Sequence, residues 1–483
     1  MSAAAALLLP AIRWDANHGF GAEQAAIDKA LALGVGGFIL FGGDQERVRA
    51  LTKELRQKSR VPLLIAADLE RGAGQQFSGA TGLPPLAAIA SLGDADAVRR
   101  AARLTAREAR TLGLNWDLAP VCDLDIVPEN PIVGTRSLGS DSRKVAMLAQ
   151  AWIQACQAEG VLACAKHFPG HGRTLTDSHA GMPVVHATRA ELMEHDLAPF
   201  RAAIEAGVAG VMTAHVSYPA LDGSGAPATL SREMLQWLLR QQMRFDGLIV
   251  TDAMIMQGAI AEHGEAEAAI LALDAGCDLL LYPGDLEVVA SAIDRAVATH
   301  RLDSGRIQAS LRRRLKWAQW SSPPNEYRRP SGTDVLWGAQ LADRVIEVVH
   351  GAPPVMSAPL DLVIVDDDLG GAYPPPSREP LLDTLYDAGW KARRLERFDP
   401  ASRNDSVVAL FGETRAWKER VGYSDAALAA VRAACEARPN TTVLQFAHPR
   451  LATQLRFARC VVSAWGGEAA MQGAAARWIM RAR

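Results

Sequence analysis

The sequence predicts an α/β chain: a (β/α)8 TIM-type barrel followed by a smaller α/β domain. Within the first 320 or so residues, strand-length apolar runs alternate with longer stretches that are apolar at i, i+3 and i+4. The runs are continuously apolar, which is the mark of a parallel sheet buried on both faces. Counting the N-terminal run there are eight, the number a barrel of this class needs. Polar residues close several runs. In a barrel those ends converge on one mouth, whereas in a doubly wound open sheet, the competing architecture, most would lie too far apart to cooperate.

The elements follow in order. The stretch Met1-Ser-Ala-Ala-Ala-Ala-Leu-Leu-Leu-Pro10 lacks the charged start of a signal peptide and reads as a first buried strand. The remaining seven runs are Gly37–Phe41, Pro62–Ala67, Leu114–Leu118, Val161–Ala165, Gly210–Thr213, Leu248–Thr251 and Leu279–Tyr282. Glu23 to Leu33 and Asp94 to Leu112 carry the helical period. Asp68 ends one run, Lys166 and His167 another, and His215 and Asp252 two more.

Trp320 to Thr333 is rich in Pro, Ser and charge, a linker composition. The expected organisation is therefore residues 1–320 as a catalytic barrel, 321–334 as linker and 335–483 as a C-terminal α/β domain. In that tail Leu360–Val365, Val407–Phe411, Thr442–Phe446 and Cys460–Ala464 read as strands, and Ala426–Ala437 reads as a helix.

Composition narrows the function classes. A net charge of −3 argues against a nucleic-acid binder relying on a basic field. The basic run Arg312–Arg314 with Lys316 reads as a solvated helix face. Six scattered cysteines without C-x-x-C spacing suggest a reducing compartment. No run approaches the length of a membrane span. The expectation is a cytoplasmic protein without a membrane partner, working as a monomer or homodimer.

The chemistry concentrates in Lys166-His-Phe-Pro-Gly-His-Gly-Arg-Thr-Leu-Thr-Asp-Ser-His179, immediately after a strand. His167 and His171 have metal-ligand spacing, but Pro169, Gly170 and Gly172 break any helix that would put both rings on one face. No metal and no cofactor are expected.

Lys166-His-Phe-Pro-Gly-His-Gly followed by Asp177-Ser-His179 resembles the signature of glycoside hydrolase family 3. Its Asp-x-His continuation resembles the β-N-acetylglucosaminidase branch, bacterial enzymes of peptidoglycan recycling. Asn115–Val121, Val211–Pro219, Leu248–Met254 and Ala275–Leu280 match in family order, so the resemblance covers roughly residues 1–320. It implies a retaining exo-β-N-acetylglucosaminidase acting on terminal β-linked GlcNAc.

By that resemblance Asp252 is the nucleophile and His179 the acid/base, oriented by Asp177. Such a role suits an imidazole, which titrates near operating pH and can donate and accept within one cycle. Asp68, Arg136, Lys166 and His167 match residues that bind the sugar hydroxyls, where charge-assisted hydrogen bonds are strong. His171 is expected to shape the loop, and His215 is open between packing and the site. Gln76 stands where a basic residue is expected, and Ala253 stands where many relatives carry a second Asp. The alternative is a β-glucosidase, β-xylosidase or β-glycoside phosphorylase on the same barrel. Residues 170–181, rich in glycine and poor in apolar residues, are expected to be mobile until a sugar binds.

Overall fold

Each apolar run of the first 320 residues folds as a strand, and all of them pair in parallel. In chain order they are β1 (Leu8–Leu9), β2 (Ala11–Arg13), β3 (Gly37–Phe41), β4 (Leu64–Ala67), β5 (Trp116–Asp117), β6 (Leu162–Phe168), β7 (Gly210–Thr213), β8 (Leu248–Thr251) and β9 (Leu280–Leu281). Strands β2 to β8 form one sheet in sequence order. Pro10 has no N–H to donate and splits the first strand in two. Thus β1 pairs with β9, while β2 pairs with β3. A bridge between Val250 and Leu279 joins β8 to β9, and the Gly36 N–H donates to the Leu8 carbonyl. These contacts close the sheet into a TIM-type barrel.

The computed structural model describes residues 4–178, 181–321, 331–368, 375–414, 418 and 420–482. Two compact units emerge. One contains Met1–Thr81, Asp94–Val127 and Ser137–Ser331, and the other contains Gly82–Gly93, Pro128–Arg136 and Gly332–Arg483.

The barrel interior is filled by Leu9, Ile39, Leu64, Ala66, Trp116, Leu162, Cys164, Met212, Leu248, Val250, Leu279 and Leu281. Helices Ala95–Thr111 and Ser142–Ala158 start at Asp94 and Asp141, whose carboxylates accept from the first free N–H groups. At the end of the barrel where the strands begin, charge is buried. The Asp278 carboxylate accepts from Ile249 N–H at 2.9 Å, Ser310 Oγ at 2.7 Å and Arg313 Nη1 at 3.0 Å, and it also pairs with Arg240. The basic run is therefore only partly a solvated face. Arg314 turns inward and donates to the carbonyls of Gly36 (2.8 Å) and Pro62, and burial pushes its pKa down to about 10. Gly36 is required there, because a Cβ would fall 2.0 Å from the Ala6 carbonyl oxygen.

The second unit holds a six-stranded sheet of β10 (Glu347–Gly351), β11 (Leu360–Asp366), β12 (Ala392–Leu395), β13 (Asp405–Phe411), β14 (Thr442–Phe446) and β15 (Cys460–Ser463). Its order is β10-β15-β14-β13-β11-β12, parallel except for β10. The four apolar runs read from the sequence are its central strands. The edge strands β10 and β12 were not foreseen, because they are largely exposed and carry no apolar run. Ala87 and Ala88, far away in sequence, pack with Ala342, Trp465 and Met471 in this unit. Most of the segment expected as linker lies outside the described residues, and helix Gly332–Arg344 starts within it. No described helix is long and apolar enough to cross a membrane.

Candidate active site

The C-terminal strand ends of the barrel carry most of the sequence-predicted site. Lys166 ends the apolar part of β6 and is fully buried. Its ammonium lies 2.7 Å from Asp68 Oδ1, just past β4, and 2.8 Å from Glu70 Oε1. Glu70 was missed by the sequence reading, although its spacing in Asp68-Leu-Glu70 places it on the same side of an extended chain as Asp68.

His167 is held by a second overlooked carboxylate. Asp123 accepts from the His167 N–H at 3.1 Å, from His167 Nδ1 at 2.7 Å and from the His171 N–H at 2.6 Å. Burial alone would raise the Asp123 pKa, but the neighbouring His167 ring and these donors hold it below the usual carboxylate range. With Nδ1 donating to Asp123, the His167 ring turns Nε2 toward Asp252, 4.0 Å from Oδ2. Asp252 follows β8, keeps 22 % of its side chain exposed, and accepts from the Ala253 N–H at 2.7 Å. His215 lies beneath this turn, with Nε2 at 3.2 Å from the Ala253 carbonyl and Nδ1 at 2.8 Å from Thr229 Oγ1. It therefore belongs to both alternatives left open by the sequence: it is packed at a strand end, and it supports the Asp252 turn.

The loop after β6 is better anchored than its composition suggests. His171, Thr174, Asp177 and Ser178 are buried, while Leu175 is 69 % exposed. The Thr174 hydroxyl donates to the His171 carbonyl and accepts from Nδ1 at 2.7 Å, so Nε2 accepts from Ser178 Oγ at 3.1 Å. That arrangement needs a neutral ring, and burial drives the His171 pKa down to about 4. Gly172 lets the loop pass closely, since a Cβ would fall 2.1 Å from the Leu124 carbonyl oxygen. The Gly258 N–H donates to the Ser178 carbonyl at 3.1 Å, tying the loop to the segment after Asp252.

Asp68, Lys166, His167 and Asp252 are thus gathered at one end of the barrel. Asp177 is buried in the loop after β6, and His179 lies outside the described residues. Arg136 belongs to the second unit, at the end of the short helix Gly134–Arg136. Nearby in that unit, Thr135 Oγ1 donates to Glu413 at 3.2 Å. Among the described residues, no three His, Cys, Asp or Glu side chains converge as metal ligands.

One further acid lies under the cluster. Asp117, at the end of β5, is fully buried and accepts from Trp152 Nε1 at 3.3 Å, and its Oδ1 has no hydrogen-bond partner among the described residues. Burial pushes its pKa up to about 7, against the pull of the Lys166 ammonium.

Residues 18–316 match a family model described as the glycosyl hydrolase family 3 N terminal domain. A protein of Thiobacillus denitrificans named beta-hexosaminidase is 39% identical over 257 residues, covering 51% of this chain and 71% of that protein. A Cellulomonas fimi protein named beta-N-acetylglucosaminidase/beta-glucosidase is 36% identical over 285 residues, 56% of this chain, and this chain spans only about half (50%) of its length. Among solved structures, a glycoside hydrolase family 3 beta-N-acetylglucosaminidase from Paenibacillus sp. str. FPU-7 superposes with a TM-score of 0.86 at 27% identity, covering 99% of this chain and 96% of that one.

Proposed function

The chain belongs to glycosyl hydrolase family 3, a family of glycoside hydrolases, and from that premise we propose that it is a retaining exo-β-N-acetylglucosaminidase releasing terminal β-linked GlcNAc. The observation that carries the reading is the strand-end layer in which Asp252, Lys166, His167 and Asp68 meet. In this reading the Asp252 carboxylate attacks the anomeric carbon while the glycosidic C–O bond breaks, and His179 gives its proton to the leaving oxygen. A water then attacks the same carbon, His179 takes the water's proton, and the ester bond to Asp252 breaks. Asp177 orients His179 and stabilises its protonated form, as a buried carboxylate does for a catalytic imidazole.

The clamp residues have matching tasks. Lys166 is fixed between Asp68 and Glu70, so its ammonium and the half-exposed Asp68 carboxylate can grip neighbouring hydroxyls without first reorganising. His167, set by Asp123, turns Nε2 toward Asp252 and would donate to a hydroxyl beside it. Muropeptides derived from peptidoglycan, met in the cytoplasm, are the proposed natural substrates.

The second reading is a broader family 3 activity on glucosides, by hydrolysis or phosphorolysis. The Cellulomonas relative, whose name joins both activities, favours it. A panel of p-nitrophenyl β-glycosides of GlcNAc, glucose and xylose, run with and without phosphate, separates the two. The first reading expects GlcNAc to be preferred and phosphate to change nothing. Equal cleavage of glucosides, or phosphate-dependent release of a sugar phosphate, replaces it with the second.

A further inference from the structure

Strand parity fixes which side chains reach the barrel mouth. Ala11, Ile39, Ala66, Cys164 and Val250 face the interior core, so the side chains two residues further along, Arg13, Phe41, Asp68, Lys166 and Asp252, form the next layer up. Three of these five belong to the proposed site. Arg13 and Phe41 have no role in it.

They are joined by Tyr282, the residue after β9, which also packs on the interior core. Its backbone φ is +50°, a left-handed conformation uncommon for a residue with a side chain. The Arg13 guanidinium carbon sits 4.7 Å from the Phe41 ring centroid and 5.0 Å from that of Tyr282. Arg13 Nε donates to the Tyr282 hydroxyl at 2.8 Å. All three side chains are half-buried, as expected of groups that line a mouth rather than fill a core. Because β9 pairs with β1, which runs on into β2, and β2 pairs with β3, the trio occupies the arc between Asp252, just past β8, and Asp68, just past β4.

Asp68, Lys166 and Asp252 in that layer are ionic and suit hydroxyl groups. The arc of Arg13, Phe41 and Tyr282 combines aromatic faces with a cationic donor. On a GlcNAc ring the one substituent that needs both is the 2-acetamido group, with an apolar methyl and a strong acceptor oxygen. Aromatic surface would take the methyl out of water, and the guanidinium or the phenol edge would donate to the carbonyl. We infer that Arg13, Phe41 and Tyr282 form the acyl-amide pocket of the sugar site and set its preference for N-acylated sugars. The inference rests on the N-acetylglucosaminidase reading above.

The test compares kcat/KM for p-nitrophenyl β-GlcNAc and p-nitrophenyl β-glucoside, which share a leaving group. Arg13→Gln and Phe41→Ala should lower the GlcNAc-to-glucose ratio at least tenfold while glucoside kcat/KM stays within threefold. Phe41→Ala should also gain at least tenfold in relative activity on the N-butanoyl analogue, a gain that loss of folding cannot mimic. If Phe41→Ala does not accumulate folded, Phe41→Leu and Tyr282→Phe read the same ratio. Equal losses on both sugars, or no gain on the longer acyl chain, overturn the pocket. A wild-type protein that prefers glucosides overturns the parent reading as well. One that prefers GlcNAc but has variants of unchanged ratio overturns the pocket alone.

Discussion

At the residue scale, the roles of His179 and Asp117 are open to separate tests. If His179 protonates the leaving oxygen, its loss matters only where that oxygen is a poor leaving group. His179→Ala should slow hydrolysis of alkyl or sugar β-N-acetylglucosaminides by about 10²–10⁴-fold. It should hardly change the glycosylation step of a dinitrophenyl substrate, which can be read from pre-steady-state release of phenolate. An equal loss on both substrates removes His179 from the acid's role. Asp117 can be tested through stability. Its pKa of about 7 in the fold lies above its ordinary 3.8, so the native state holds a proton that the unfolded chain releases. The stability tied to that proton is intact below about pH 4 and is lost as pH rises to about 7, at roughly 1.4 kcal/mol per pH unit. Asp117→Asn does not titrate, so its stability relative to wild type should improve steadily between pH 4 and 7 and level off above. Urea unfolding across that range measures the difference, and a flat difference would show that Asp117 is ionised in the fold.

At the scale of elements, the polar plug beneath the barrel and the loop above it play opposite parts. Asp278 is surrounded by Arg240, Arg313, Ser310 and the Ile249 N–H, with no exposed surface of its own. Removing one member of a buried ion pair leaves its partner uncompensated, at a cost of about 3–5 kcal/mol. Asp278→Ala should therefore lower the unfolding free energy by roughly that amount, while the kcat/KM of the remaining folded protein, measured at low temperature, is unchanged. A loss below about 1 kcal/mol would mean that the two arginines find other partners. In the loop, His171, Thr174 and Ser178 already hold one another, so closure over a sugar should involve the positions around them. Hydrogen exchange is expected to show ligand-induced protection concentrated between Leu175 and Gly181, with little change at His171 and Thr174. Identical protection with and without a GlcNAc-type ligand would remove the closing step. The sequence was a poor guide here, because it shows glycines and polar residues but not that Asp123, reached only through the fold, receives the His171 N–H.

At the scale of the whole molecule, the barrel was legible because a parallel sheet buried on both faces writes itself as continuous apolar runs, and because strand-end polar residues such as Asp68, Lys166 and Asp252 follow those runs directly. What could not be read was long-range pairing. Asp123 and Glu70 look like ordinary surface carboxylates until His167 and Lys166 are brought to them. Arg314 looks solvated until it finds the Gly36 carbonyl. Nor does sequence order suggest that Gly82–Gly93 and Pro128–Arg136, the latter carrying Arg136, pack with the second unit. In the proposed retaining mechanism Asp252 forms a covalent glycosyl ester. A 5-fluoro-N-acetylglucosaminyl fluoride, which slows release of that ester more than its formation, tests it most directly when combined with mass spectrometric peptide mapping. One fluorosugar per chain is expected, attached at Asp252, and none on Asp252→Asn. An adduct on a different carboxylate, or full turnover by the Asp252→Asn protein, would contradict it.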